Sequence, residues 1–245
     1  MFQRFVSTLN RYQHKWIDGT LVDSTMGTAS KILCVARNYT DVEVEKTEGI
    51  KKRMDNAAVF LKPPSSLVSM SPSISINGYT DVVCETEMAI LIGREIVRSS
   101  SGCTSAEAGD AVVGLTLGFD FTRKNLQNKL KAAGKPWELS KAFDGACPLA
   151  PFIPIKKVRR MFDRTLPSSV ELFLNDELVL SQSLNDMILS PKELIQLLTQ
   201  HFTICPGDVI MSGTPTLPQP PPQLKVGDNV RACLGKEIEI FSTIV

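Results

Sequence analysis

The chain is written as short apolar segments, each closed by a turn, and that rhythm limits its fold more than any other feature. KILCVAR (31–37), AVFLKP (58–63), VVCETEMAILIG (82–93), VGLTLGFDF (113–121), SVELFLNDELVL (169–180), DVIMSGTP (208–215), NVRACL (229–234) and EIEIFSTIV (237–245) all follow it. Runs of this length bounded by Gly, Pro, Asn or Asp read as strands, and Asn175-Asp176 and Leu234-Gly235-Lys236 read as turns between paired strands. Helix signals are few. Thr104 and Glu107 have capping-box spacing before AGDAVVG, and Ser190-Pro191-Lys192-Glu193 sets a cap, an N1 proline and a capping glutamate before LIQLL. Leu194, Ile195, Leu197 and Leu198 then form one apolar stripe, and a third helix is expected from Thr122 to Ala133, closed by Gly134 and Pro136. Strands that do not alternate regularly with helices argue against a doubly wound parallel sheet and predict an α+β, mainly β fold.

One of these strands carries two acids. In VVCETEMAILIG, residues two apart share a face, so Glu85 and Glu87 project together with Val83, Ala89 and Leu91. The other face, Cys84, Thr86, Met88, Ile90 and Ile92, is nearly as apolar. Two carboxylates in such surroundings repel and lose hydration, at a cost of several kcal/mol each unless a cation or dense hydrogen bonding compensates. The residues leave two readings open: a frayed strand end with both acids solvated, or a divalent-metal site needing further ligands.

Charge is balanced, 27 basic against 26 acidic residues for a net of +1, with no basic block and no interleaving of aromatic and basic residues. A nucleic-acid or anionic-membrane partner is therefore not indicated, and a small polar substrate fits better. No apolar run approaches the ~18 residues of a membrane span. The six cysteines, at 34, 84, 103, 147, 205 and 233, lack C-x-x-C or finger spacing and read as reduced residues of a cytosolic-type protein. A cytoplasmic location is expected, or the mitochondrial matrix if the source is eukaryotic. The N-terminus, rich in arginine and hydroxyls with no acid before Asp18, has a faint transit-peptide character, but YQHKWI-DG-TLVD reads better as a hairpin. We expect residues 1–30 to be an extension or hairpin packed on a domain spanning 31–245. The proline-rich LPQPPPQL at 217–224 reads as a stiff surface loop ahead of a partner-binding polyproline segment.

Asp120, among Leu117, Phe119 and Phe121, is a further acid in an apolar setting. Alone it reads equally well as a helix cap. Beside Glu85 and Glu87 it completes a three-carboxylate oxygen set suited to Mg²⁺ or Mn²⁺, with positions left for water and a bidentate substrate. Zinc is disfavoured because neither histidine, His14 or His201, joins the set.

The order CVARNYTD, FLKPPSSLV, CETEMAILIG, GFDFTRKNLQ, PWELSKAFDGACPLAPF, PGDVIMSGTP resembles the fumarylacetoacetate hydrolase superfamily from about Lys31 onwards, nearest its small single-domain members. The resemblance implies a mixed β-sandwich roll, a homodimer, and metal ligands at Glu85, Glu87 and Asp120. It implies that Lys141 faces the substrate and that Gln127 and Thr214 contact substrate carboxylate or carbonyl oxygens, with Arg37 and Lys124 completing the substrate set. Two departures stand out. Relatives that cleave carbon–carbon bonds carry a His-x-x-Glu pair just after N-Y-x-D; here Glu45 matches the glutamate, but Val42 takes the histidine position. Lys124 stands where relatives have arginine, keeping the charge but losing the bidentate fork.

A 2-oxo acid chelated to the metal would have its ketone polarised and its enolate stabilised. Reprotonation, loss of CO₂ or hydrolysis of an acylpyruvate could follow, and only hydrolysis needs a base aimed at water. An oxaloacetate keto–enol tautomerase is the expected activity, with acylpyruvate hydrolase or oxaloacetate decarboxylase as the alternative and a non-catalytic metal-binding relative as the second. Lys141 would bind substrate and shuttle protons on a lowered pKa, or simply pair with the ligand carboxylates; Glu45 is the candidate acid–base partner.

Overall fold

The computed structural model describes residues 12–40 and 48–245. Its backbone is set by two long strands, β5 (Val82–Ile92) and β6 (Val112–Arg123), paired antiparallel from Val82 opposite Arg123 to Ile92 opposite Val112. Both faces of β5 are apolar because both are covered. Cys84, Met88, Ile90 and Ile92 pack in one buried cluster, while Ala89 and Leu91 join Ile32, Cys34, Leu149, Val209 and Met211 in another.

Around this pair lie β1 (Ile32–Ala36), β2 (Ala58–Lys62), β3 (Leu67–Ser69), β7 (Cys147–Leu149), β8 (Ile153–Pro154) and β11 (Val209–Met211). They form an eight-stranded mixed sheet ordered β2-β1-β11-β5-β6-β7-β3, with β8 on β6. The contact between β1 and β11 is parallel, joining Ile32 to Val209 across most of the chain. A second, five-stranded sheet is ordered β10 (Glu177–Ser183), β9 (Ser169–Leu174), β12 (Asn229–Leu234), β13 (Ile238–Ile244) and β4 (Ser73–Ile74). Its hairpin turns are where the sequence places them. Asn175 and Asp176 both take positive φ between β9 and β10, as a tight primed turn requires, and Gly235 does so between β12 and β13.

Six α-helices are present among the described residues: α1 (Ile50–Asn56), α2 (Ser105–Ala111), α3 (Lys124–Ala132), α4 (Glu138–Lys141), α5 (Ile155–Phe162) and α6 (Pro191–Thr199). Thr104 and Ser190 close full capping boxes with Glu107 and Glu193 on α2 and α6. The helix expected from Thr122 starts two residues later, because Thr122 and Arg123 still pair with Val83 and Val82 in β6. Helices α1, α4 and α5 escaped the sequence reading, and each lacks a side-chain cap. The architecture is nonetheless the expected one: mixed sheets with few short helices.

Near the N-terminus, Lys15 bridges Leu21 across the Asp18-Gly19 turn and Trp16 bridges Phe152. The buried His14 ring sets Nε2 2.9 Å from the Gly207 carbonyl. Five cysteines are buried and Cys205 half-buried, all as free thiols. No helix is long and apolar enough to cross a membrane among the described residues.

Candidate metal and substrate site

Asp120 stands directly opposite Glu85 in the β5–β6 register, with Glu87 one pleat further along β5. Like charges facing each other across a strand pair repel, and burial sharpens the cost. Glu87 is 3% exposed and Asp120 1%.

Two ammonium groups offset this. Lys141, the last residue of α4, sets Nζ 2.5 Å from Glu85 Oε2 and donates to Asp120 Oδ2 as well. Lys62, the last residue of β2, is fully buried with Nζ 2.8 Å from Asp120 Oδ1. It also donates to the carbonyls of Phe121 (3.3 Å), Ala146 (3.0 Å) and Lys141. Thr122 Oγ1 donates to Glu85 Oε2 at 2.9 Å, and Lys124 Nζ stands 4.0 Å from Glu85 Oε1.

Glu87 is held differently, by the Gly213 N–H at 2.7 Å from Oε2. Gly213 has φ +93°, and a Cβ there would lie 2.6 Å from the Val35 carbonyl oxygen, so this donor depends on glycine. Asn38 fixes the loop from below. Its Nδ2 donates to the carbonyls of Ser212 (2.8 Å) and Leu189 (3.2 Å), and its Oδ1 accepts from the Leu189 N–H (2.7 Å).

The electrostatics single out Glu87. Burial, then the charge of Asp120, pushes its carboxyl well above the usual range, against the Gly213 bond and Lys141. Burial also acts on Asp120, but Lys141 and Lys62 outweigh it and hold that carboxyl low. Lys141 departs from the expected direction: burial lowers it, yet Asp120 and Glu85 overcome burial and keep it firmly protonated. The lowered pKa anticipated from desolvation alone fails because two anions touch the ammonium. No ion pair reaches Glu87 among the described residues, so three carboxylates share two close ammonium groups and Glu87 is the one left short of positive charge.

That shortage, with donors that are all carboxylate oxygens, fits a hard divalent cation. Cys34 and Cys147 sense the charges of Asp120 and Glu87, but burial drives both thiols up, Cys147 to about 12, so neither offers a thiolate. Among the described residues the acids do not close into a finished cage, since Lys141 stands between Glu85 and Asp120.

Two further side chains of the substrate set carry unanswered oxygens. Gln127, on α3 and 4% exposed, has no hydrogen-bond partner for Oε1, and neither does Thr214 Oγ1. Arg37, exposed at φ +62°, lines a cavity of about 330 Å³ with Tyr39, Glu48 and Arg53. Glu45 and Val42 lie outside the described residues. Sequence reasoning missed Lys62, Asn38 and Gly213. The one available signal was the lysine ending an apolar strand, AVFLK, before a proline pair.

A sequence model described as fumarylacetoacetate (FAA) hydrolase C-terminal matches residues 31–245. The chain is 33% identical over 190 residues to the mitochondrial oxaloacetate tautomerase fahd-1 of Caenorhabditis elegans, covering 76% of this chain and 83% of that one. It is 32% identical over 205 residues to the oxaloacetate tautomerase YcgM of Escherichia coli, covering 83% and 88%. A crystal structure assigned to the fumarylacetoacetate hydrolase family, from Yersinia pestis, superposes with a TM-score of 0.78 at 28% identity, covering 96% of this chain and all of that one. The chain belongs to the fumarylacetoacetate hydrolase family.

Proposed function

We propose that this chain is an oxaloacetate keto–enol tautomerase, working on a small 2-oxo dicarboxylate with Mg²⁺ or Mn²⁺ held by Glu85, Glu87 and Asp120. The observation that carries this reading is the half-buried Glu85 facing the buried Asp120 across the strand pair, with the buried Glu87 beside it, a charge arrangement that folding alone would not favour. Relatives 33% and 32% identical over 76% and 83% of this chain are oxaloacetate tautomerases, which supports the same substrate here.

The cation, when bound, supplies polarisation of the ketone and stabilisation of the enolate oxygen. The chain's own residues supply the rest. Lys62 fixes Asp120 from inside the sheet, and the Gly213 N–H fixes Glu87. Lys141 stays protonated beside Glu85 and Asp120, so it acts as a donor and positive charge toward the substrate oxygen. Gln127 and Thr214 offer oxygens that burial leaves without partners, ready for a hydroxyl or a bound water. Glu45 is the proposed proton carrier. Valine at position 42 favours tautomerisation over hydrolysis, since it can neither take nor give the proton that activates water. We place the working unit as a homodimer with one catalytic domain per chain, 31–245, preceded by the extension at 1–30.

The test follows enol-oxaloacetate by ultraviolet absorbance, with and without Mg²⁺, while pyruvate is measured. Rapid Mg²⁺-dependent loss of enol without pyruvate is the expected result. Stoichiometric pyruvate would make the protein a decarboxylase, and no acceleration would leave it without this activity.

A further inference from the structure

Helix α3 carries Lys124, Gln127 and Lys131 at spacings of three and four, which stack them along one helix face. The first two show where that face turns. Lys124 reaches to 4.0 Å from Glu85, and Gln127 is buried with an unpaired Oε1. Lys131 lies one turn beyond Gln127, exposed at the outer end of the same face.

Its side chain is tethered. The ammonium sits over the Trp137 ring, 4.7 Å from the centroid, just ahead of the helix that ends in Lys141. No carboxylate pairs with Lys131 among the described residues. Burial, then repulsion from Lys124, Lys141 and Arg37, disfavours its charge, with only Glu85 acting the other way. Lys131 thus adds an unpaired cation at the outer end of the helix face whose inner end, Lys124, stands 4.0 Å from Glu85. A cation left without a counter-charge there favours an anion arriving beside it.

From this geometry we infer that Lys131, steadied on Trp137, binds the distal carboxylate of the substrate and makes the site selective for 2-oxo acids that carry a second carboxylate. The inference rests on the 2-oxo acid reading above. One helical turn separates Gln127 from Lys131, about 6 Å between Cβ atoms. That step suits the two ends of a short-chain diacid, with the keto-carboxylate end at the acids and Gln127 and the tail at Lys131.

Two ligands differing only in the tail test it: oxaloacetate and 2-oxobutanoate, which puts methyl in place of the distal carboxylate. Each is titrated calorimetrically into the full-length protein in excess Mg²⁺, for the parent, Lys131→Met and Lys131→Arg. The parent should bind oxaloacetate at least about tenfold more tightly, the usual scale of one charge-assisted contact. Lys131→Met should lose that preference by weakening oxaloacetate alone, Lys131→Arg should retain it, and the tautomerase KM should rise with kcat unchanged. No preference in the parent overturns the inference. So does equal weakening of both ligands in Lys131→Met, which would mean the lysine acts only through Trp137. Because a preference in affinity does not depend on turnover, an inactive parent that still distinguishes the two ligands would refute the tautomerase reading and leave the tail contact standing.

Discussion

Two antiparallel strand pairs in this molecule treat charge in opposite ways. On β12 and β13, Arg231 Nη1 meets Glu239 Oε1 at 3.1 Å, with the side chains 30% and 51% exposed and the guanidinium laid over Phe173. On β5 and β6 the facing residues are Glu85 and Asp120, of like sign, with side chains 13% and 2% exposed. The first pair is an ordinary solvated contact, of opposite charges that water could separate at little cost. The second exists only because Lys62 and Lys141 were brought to it from β2 and α4. The first describes a surface; the second is the pair on which the proposed cation site rests.

Removing one of those lysines breaks the contrast most severely. Lys62→Met strips a fully buried ammonium from Asp120 and from three backbone carbonyls, and should cost ~3–5 kcal/mol in urea unfolding of the metal-free protein. Asp120→Asn in the same background should recover part of the loss, because the stranded charge goes with it. A Lys62→Met protein as stable as the parent would mean that Lys141 alone balances the acids.

His14 offers an intermediate case, buried but uncharged. Burial holds its pKa below the ordinary 6.5, against the Gly207 hydrogen bond and the charge of Asp208. The unfolded chain therefore takes up the proton first, and folding loses stability as it does so. The His14 contribution is complete above pH 6.5, erodes as pH falls from there to the lowered native value, and levels off below it. Unfolding midpoints measured across that window should fall less in His14→Gln than in the parent; parallel curves would remove His14 from the account.

At the solvated end, Glu239→Gln should change stability by about 0.5 kcal/mol or less. A larger loss would mean that the outer face of the second sheet is as dependent on charge as the site.

These cases also separate what the residues announced from what only the fold reveals. Glu85, Glu87 and Asp120 were legible because acids in apolar strands violate the local pattern, and violations point to function. The capping boxes at Thr104 and Ser190 and the turn at Asn175-Asp176 were legible because they are local. Lys62 was not: a lysine after AVFL and before two prolines reads as a strand end, and its meaning depends on carbonyls 59, 79 and 84 residues away. Asn38 binds partners 151 and 174 residues distant, and the parallel β1–β11 contact is equally remote. Lys141 could be named but not its charge state, which is set by two anions on neighbouring strands rather than by its own burial.

Thermal unfolding of the parent and Glu87→Gln as Mg²⁺ is raised shows whether Glu85, Glu87 and Asp120 are charge held for a divalent cation. Glu87 is the acid whose ionisation burial and Asp120 most disfavour, and the amide keeps its shape without its charge. The Tm of the parent should climb with Mg²⁺, as a ligand of the native state requires. The variant should begin at or above the metal-free parent and stay flat. A variant less stable than the metal-free parent, yet stabilised by Mg²⁺ to the same extent, would contradict that role.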